Sequence, residues 1–358
     1  MSSLIQTLRE LVALTGPSGH EEDVARYVYT AVRELADEVT IDPLGNVIAR
    51  RKGSQRGARS LAISAHMDEI GFIVRKIEPS GYLRFEKLGG HDDRVLWAQR
   101  VWVRGEQGRL LGVIGAKSAH LTGPAEREKV VSFKEMYIDV GARSADEARA
   151  MGIRVGSPVG YASELTEVGL NTGRYIAHGL DDRAGCALLL QLLAELKDVE
   201  LPGDLYAVFS TQEEVGLRGA RTAAQALQPD VALAVDMTAL DDTPDTGTAN
   251  LRLGEGPTIK IMDASLLAHP AVRRLLESAA AEAGVTTQAE ILTGIGTDAG
   301  AFHQAGRGVP TGCISVGNRY THSPVEMLDI RDLEAALRLL KAAVLQVEQA
   351  DLSFVPGI

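Results

Sequence analysis

Cysteine is almost absent. Cys186 and Cys313 are the only two in 358 residues, so no disulfide framework is implied and a reducing compartment fits. Both sit in apolar stretches, Gly185-Cys186-Ala187-Leu188 and Gly312-Cys313-Ile314-Ser315, and read as small buried hydrophobes. Aromatic residues are scarce at 4%, which offers few stacking platforms for sugars and leaves core packing to Ala, Leu, Val and Gly. Positive charge is in deficit: 37 Lys and Arg against 48 Asp and Glu give a net charge of −11. That excludes a chain built to neutralise nucleic-acid phosphates and otherwise selects no partner. No apolar run approaches membrane-spanning length, and there is no fixed-period repeat or low-complexity tract. The first ten residues lack a basic region followed by an apolar core, so they read as the start of an amphipathic helix rather than a signal peptide. A cytoplasmic location without membrane or nucleic-acid partners is expected.

What is present is 45% hydrophobic residues over a length comfortable for two domains. Leu4, Leu8, Leu11 and Val12, then Val24, Tyr27, Val28 and Val32, recur at helical spacing on either side of Gly16-Pro17-Ser18-Gly19. Asp42-Pro43-Leu44-Gly45-Asn46 reads as a turn, a strand starts at Val47, and 61–65 reads as a buried strand ending at His66. From 71 to 166 the chain is mostly short β-like runs separated by turns at 79–81 and 106–108, with helical character only at 145–151. Beyond residue 180 strands and helices alternate. Helices are expected at 183–199, 218–227, 270–283 and 332–348, and strands at 205–210, 231–235 and 311–316. This alternation implies an open, mostly parallel α/β sheet flanked by helices. The strand at 61–65 needs partners from that sheet. The expected organisation is therefore a discontinuous α/β domain (1–70 and 167–358) with a small β-rich domain (71–166) inserted.

Polar residues cluster just past the expected strands. His66-Met67-Asp68-Glu69 follows 61–65, Gln212-Glu213-Glu214 follows 205–210, Asp236 follows 231–235, and a loop after 311–316 carries His322. Asp181-Asp182 precedes the helix expected at 183. Ligands of open α/β sheets bind outside the carboxyl ends of the strands, so these segments aim at one edge. Taken singly, each has a plain reading: a helix cap for Asp181 or Asp182, a solvated loop for Glu213-Glu214, a structural or solvated role for His178, His269 or His303. Asp236 after four apolar residues is harder to dismiss, because an unpaired buried carboxylate is costly. Mixed imidazole and carboxylate donors suit zinc, cobalt or manganese rather than calcium. Three carboxylates and two imidazoles suffice for two divalent ions if one Asp bridges. Ions about 3.5–4 Å apart can share and activate one water.

At these residues the chain resembles the tetrahedral (TET) aminopeptidases, a family of glutamyl and leucyl aminopeptidases with a co-catalytic metal pair, some of them once labelled endoglucanases. The resemblance spans essentially the whole chain. Its motifs are Ala65-His66-Met67-Asp68-Glu69-Ile70-Gly71, Gly179-Leu180-Asp181-Asp182-Arg183, Gln212-Glu213-Glu214-Val215-Gly216, Val235-Asp236-Met237, Gly296-Thr297-Asp298-Ala299 and His322-Ser323-Pro324-Val325-Glu326. It implies His66 and Asp236 as terminal ligands of one ion, Glu214 and His322 of the other, and Asp181 as the bridge. It implies Glu213 as general base and Asp68 as a residue that orients or tunes the site from behind. Asp182 stands where relatives often carry Asn. The implied activity is removal of N-terminal residues from short peptides, and neutral or apolar residues are the expected preference. Zinc is the first expectation for the metal, with cobalt or manganese suited to the same donors. The inserted domain is expected to be barrel-like and to support self-association into dimers and a hollow tetrahedral dodecamer.

The rivals are a related two-metal carboxypeptidase or deacylase, whose extra domain usually follows the Glu and Asp ligands, and a glycoside hydrolase using Glu213 and Glu214. A pair of that kind needs about 5–10 Å between carboxyls and leaves two His and two Asp unexplained. A catalytically dead scaffold conflicts with the intact ligand set. Three residues stay open: His120 (a surface loop or a neighbouring subunit's site), Arg319 (a basic pocket group) and Asp298 (a helix cap or a shaper of the site).

Overall fold

The computed structural model describes residues 3–244, 246 and 250–355; Met1 and Ser2, at the head of the first expected helix, lie outside them. Helices α1 (Ser3–Val12) and α2 (Glu22–Val32) precede the hairpin of β1 (Glu38–Ile41) and β2 (Val47–Arg51), and then β3 (Leu61–His66). The next six strands are β4 (Gly71–Ile77), β5 (Leu83–Leu88), β6 (Arg100–Gly105), β7 (Gly108–Gly115), β8 (Tyr137–Asp139) and β9 (Pro158–Tyr161), with short helices α3 (Pro124–Arg127) and α4 (Ala145–Ala150) between them. They close into an antiparallel barrel in the order β4-β5-β8-β7-β6-β9. The barrel is filled by inward residues such as Phe72, Phe85, Val101, Val103, Ile114 and Ile138.

The chain then returns to the large sheet with β10 (Thr166–Glu167) and β11 (Arg174–Ala177). It continues through α5 (Leu180–Leu196), β12 (Leu205–Ser210), α6 (Arg218–Leu227), β13 (Val231–Ala239) and β14 (Thr258–Met262). The last elements are α7 (Pro270–Glu282), β15 (Gln288–Ile291), α8 (Ala299–Phe302), β16 (Thr311–Arg319), β17 (Glu326–Asp329) and α9 (Ile330–Gln346). The sheet order is β1-β2-β12-β3-β13-β16-β17-β11-β10, with β14 paired to β16 and β15 to β14. Its centre, β12-β3-β13-β16, is parallel.

Both faces of that centre are covered, which is why β3 is apolar on alternate sides and buried at every position. Leu61, Ile63 and Ala65 pack with α1, α2, α5, α7 and α9, while Ala62 joins Ala220, Ala224 and Phe302 from α6 and α8. Helix α5 is buried almost all round, as expected of a helix at the core.

Two expectations need correction. Strand β13 does not end at residue 235. It stays paired with β16 up to Ala239↔Asn318, so Asp236 projects from within a strand rather than from a loop. The short strands β1, β10, β11, β14, β15 and β17 were not expected. They are edge or near-edge pieces whose conformation comes from pairing rather than from a long apolar run.

Candidate active site

The parallel centre delivers the polar residues to one place. His66 is the last residue of β3, level with Ser210 at the end of β12, and Glu213 and Glu214 follow within the next turn. Asp236 projects from neighbouring β13. Asp181 enters from the start of α5, where Asp181 and Asp182 have non-helical backbone, and His322 enters from the turn after β16. All of the expected ligands meet. His66 Nε2 lies 3.2 Å from Asp181 Oδ1 and 3.8 Å from Asp236 Oδ1. His322 Nε2 lies 3.5 Å from Asp181 Oδ2 and 3.2 Å from Glu214 Oε2. Asp181 thus turns one oxygen to each imidazole. His66, Asp181 and Glu214 have donor atoms within 4.8 Å of one another, as do His66, Asp182 and Asp236. His66, Asp181, Glu213, Glu214, Asp236 and His322 line a cavity of about 550 Å³, with Asp182 behind its wall.

The electrostatics show a site short of positive charge. Burial, helped by the Asp181 charge, pushes Asp236 up to about 7. Burial also holds Glu213 well above the usual carboxylate range and raises Glu214. The imidazoles move the other way. Burial alone would lower His322, but Glu214 and Asp181 pull it up to about 12; Asp181, Asp236 and Asp68 likewise override burial and raise His66. Asp181, facing both rings, is held below the usual range despite its burial. Glu214 Oε1 is buried and has no hydrogen-bond partner, an arrangement that asks for a cation.

The carboxylates behind the cavity are held by backbone amides and hydroxyls. Asp68, which does not line the cavity, accepts from the amides of Glu213 (2.9 Å) and Glu214 (3.2 Å) and from Ser18 Oγ (2.6 Å), and faces His66 Nδ1 at 3.5 Å. Glu326 accepts from the amides of Asp181 (3.1 Å) and His322 (3.0 Å), and burial raises it to about 8. Asp182 accepts from the amides of His66 and Gly185. Asp298 accepts from the hydroxyls of Ser64 and Ser210 at 2.5 Å each. Among the described residues no Lys or Arg forms an ion pair with any of these or with the cavity carboxylates; the only cationic partners there are His66 and His322.

The helix-cap reading fits Asp182 but not Asp181, whose carboxylate faces the two imidazoles. Asp298 is not a cap: its side chain makes no capping bond to four-residue α8; both serine hydroxyls donate to its Oδ2, and its Oδ1 is buried without a hydrogen-bond partner. Arg319 is locked to Asp242 by two 2.7 Å bonds and does not line the cavity. His120 is exposed in the β7–β8 connection. His178 is buried with its ring nitrogens 3.1 Å from the carbonyls of Ser323 and Ile70, the structural role first read for it. The barrel also reaches the cavity through Gly90, where a Cβ would stand 3.2 Å from His322 Nδ1. The sequence does not single out the roles of Glu326 and Asp182, although both lie inside the quoted motifs.

The family model of M42 glutamyl aminopeptidases matches residues 45–339. An aminopeptidase from the archaeon Desulfurococcus kamchatkensis is 41% identical, with a TM-score of 0.90 over 96% of this chain and 94% of that one. The Pyrococcus horikoshii TET1 peptidase, described as assembling into a tetrahedron or a large octahedral shell, is 34% identical, with a TM-score of 0.87 over 96% of this chain and all of that one (100%). Lysyl aminopeptidase from Pyrococcus furiosus is 35% identical over 97% of this chain and 98% of its own length.

Proposed function

The chain belongs to the M42 glutamyl aminopeptidase family, and from that premise we propose that it removes N-terminal residues from short peptides with two divalent metal ions and Glu213 as general base. One observation carries the reading. Two imidazoles and three carboxylates converge, no Lys or Arg among the described residues forms an ion pair with them, and a buried Glu214 oxygen has no partner. The donor set fits two ions: His66 and Asp236 would hold one, Glu214 and His322 the other, and Asp181, with an oxygen towards each imidazole, both. Bound there, the ions would supply charge to activate a shared water and to polarise the scissile carbonyl. Zinc suits these nitrogen and oxygen donors first, and cobalt or manganese also fit them.

The chain's own residues do the rest. Glu213 lines the cavity, and its amide, unlike its carboxylate, is held by Asp68. Its carboxylate takes a proton from the attacking water and returns it to the leaving nitrogen. Asp68 and Glu326 fix the backbone on either side of the cavity and so hold the geometry before substrate arrives. Apart from Thr321, the remaining wall is apolar or small, with Leu217, Met237, Ala239 and Ile295, and among the described residues it includes no Lys or Arg. A neutral, apolar N-terminal side chain matches it, and Arg319 is already paired.

We further read residues 71–166 as a unit inserted between the two parts (1–70 and 167–358) of the catalytic domain. Exposed Leu111 and Val113, two apart on β7, and Trp97 support an assembly surface there, as a TET-like dodecamer built from dimers requires; light scattering gives the mass. The unpaired thiols support a cytoplasmic location. The decisive experiment mixes short peptides with free and acetylated N-termini with metal-stripped and zinc- or cobalt-reconstituted protein. Loss of single N-terminal residues from free peptides only, and only with metal, is expected by mass spectrometry. Release of C-terminal residues or acetyl groups refutes the reading.

A further inference from the structure

The loop that carries Glu213 is fixed by four consecutive backbone amides, each donating to a side chain from elsewhere in the fold. Thr211 N donates to Asn46 Oδ1 (2.9 Å), Gln212 N to Glu21 Oε1 (3.0 Å), Glu213 N to Asp68 Oδ1 (2.9 Å) and Glu214 N to Asp68 Oδ2 (3.2 Å). Gln212 has φ of +55°, a left-handed conformation that side chains other than glycine rarely adopt. A turn of this kind persists where its surroundings over-determine it.

Glu21 is the distant member of the set. It precedes α2 but makes no capping bond to that helix. Its Oε1 instead gathers the amides of Gly19 (2.8 Å) and Gln212, and the residue is 5% exposed. The segment that carries it is itself fastened to the exit of β3. Pro17 bridges Glu69, Ser18 N donates to the Glu69 carbonyl, Glu69 N donates to the Gly16 carbonyl, and Ser18 Oγ donates to Asp68. Glu21 and Asp68 are therefore held on one scaffold and grip adjacent amides. Nothing in the geometry brings Glu21 to the cavity, whose wall does not include it.

We propose that Glu21 is a positioning residue for Glu213: by accepting the Gln212 amide it fixes the turn that aims the base, while Asp68 fixes the next two amides. This rests on Glu213 being the base. The tests are E21A, E21M (which keeps the side-chain bulk) and E21Q (which keeps an accepting Oε1), each in the full chain reconstituted with zinc. E21A is expected to lower kcat about 10–100-fold through small misplacement of the base, with KM and bound zinc unchanged. Amide exchange in the peptide covering 211–217 should rise about tenfold while the sheet core stays protected. E21Q should restore most of both losses, and E21M should behave as E21A and serves where E21A does not fold. Unchanged exchange in E21A and E21M, or an E21Q as slow as E21M, overturns the proposal. The base assignment fails separately: if E213Q turns over normally while E21A still loosens the 211–217 peptide, the grip is real but does not serve a base, and the positioning role is refuted.

Discussion

Among the described residues, the only Lys–carboxylate pair that is fully buried on both sides sits beside the site, and its disruption has a calculable effect. Lys260 on β14 faces Glu290 on β15, both side chains have 0% exposure, and Lys260 Nζ donates to Glu290. Glu290 also accepts from the hydroxyls of Thr258 and Thr238, the latter at 2.8 Å. Thr238 lies two residues beyond Asp236 on β13, on the same face of the sheet. Lys260→Met keeps most of the stem volume and leaves Glu290 a buried carboxylate with two hydroxyls and no cation. Removing one partner of a buried pair costs about 3–5 kcal/mol. An unfolding entropy of about 2.1 cal/mol/K per residue over 358 residues gives about 0.75 kcal/mol/K, so the melting temperature should fall by about 4–7 °C. Replacing both partners, Lys260→Met with Glu290→Leu, removes the stranded charge and should return stability to within about 1–2 kcal/mol of the parent. Calorimetry on the parent, the single and the double variants decides. A single variant that melts within about 1 °C of the parent, or a double variant as unstable as the single, would refute the reasoning.

Three further outcomes are expected. Glu213→Gln should keep its full zinc content and lose about 10²–10⁴ in kcat; zinc loss measured by atomic absorption would show that Glu213, not Glu214, is the ligand. Adding zinc to the stripped protein should raise stability by about 2.7 kcal/mol at a hundred times Kd, or about 3–4 °C by the conversion above, and a flat thermal titration would remove the metal site. Burial lowers His91 to about 3 from its ordinary 6.5. The folded chain therefore keeps the ring neutral while the unfolded chain takes up a proton below 6.5. Its contribution is complete above that value and is lost as pH falls towards 3, by up to about 1.4 kcal/mol per pH unit. His91→Phe should accordingly flatten the fall in stability between about pH 6.5 and 5 by about 2 kcal/mol, and an unchanged slope in thermal melts would assign the fall to other groups.

The architecture was legible where side-chain pattern alone decides it. The apolar runs 61–65 and 205–210 and the turns at 79–81 and 106–108 became β3, β12 and the β4–β5 and β6–β7 hairpins. The cavity was legible for a related reason. His66, Glu213, Glu214 and Asp236 are ionisable residues set against apolar strands, and burying such a residue needs a purpose. The pattern failed where pairing overrides it. Residues 236–239 look like a strand exit, yet hydrogen bonding to β16 carries β13 through them. Short β14 and β15 owe their place to the Lys260–Glu290 contact and to neighbouring strands rather than to any apolar period.

The residues that hold the cavity residues in place are harder to read, and the reason is physical. Their partners are mostly backbone amides, which every non-proline residue carries and which therefore leave no mark in the sequence. Glu21 reads as one more acidic residue at a helix start, and Asn46 as a turn residue, until the structure shows the amides of Thr211 and Gln212 pointing at them. Holding carboxylates this way also has a chemical consequence. An arginine or lysine behind Asp68, Asp182 or Glu326 would neutralise the cavity from the protein side and compete with a divalent cation for the same field. Amides and hydroxyls fix the carboxylates with dipoles and leave the net negative charge in place. The contrast with Arg319–Asp242 and Lys260–Glu290, where cations pair with carboxylates outside the cavity wall, indicates that the missing positive charge is a property of the site and not of the chain's overall acidity. A site arranged this way keeps its imidazoles and carboxylates oriented and leaves their charge unbalanced by the protein, as the proposed pair of divalent ions requires.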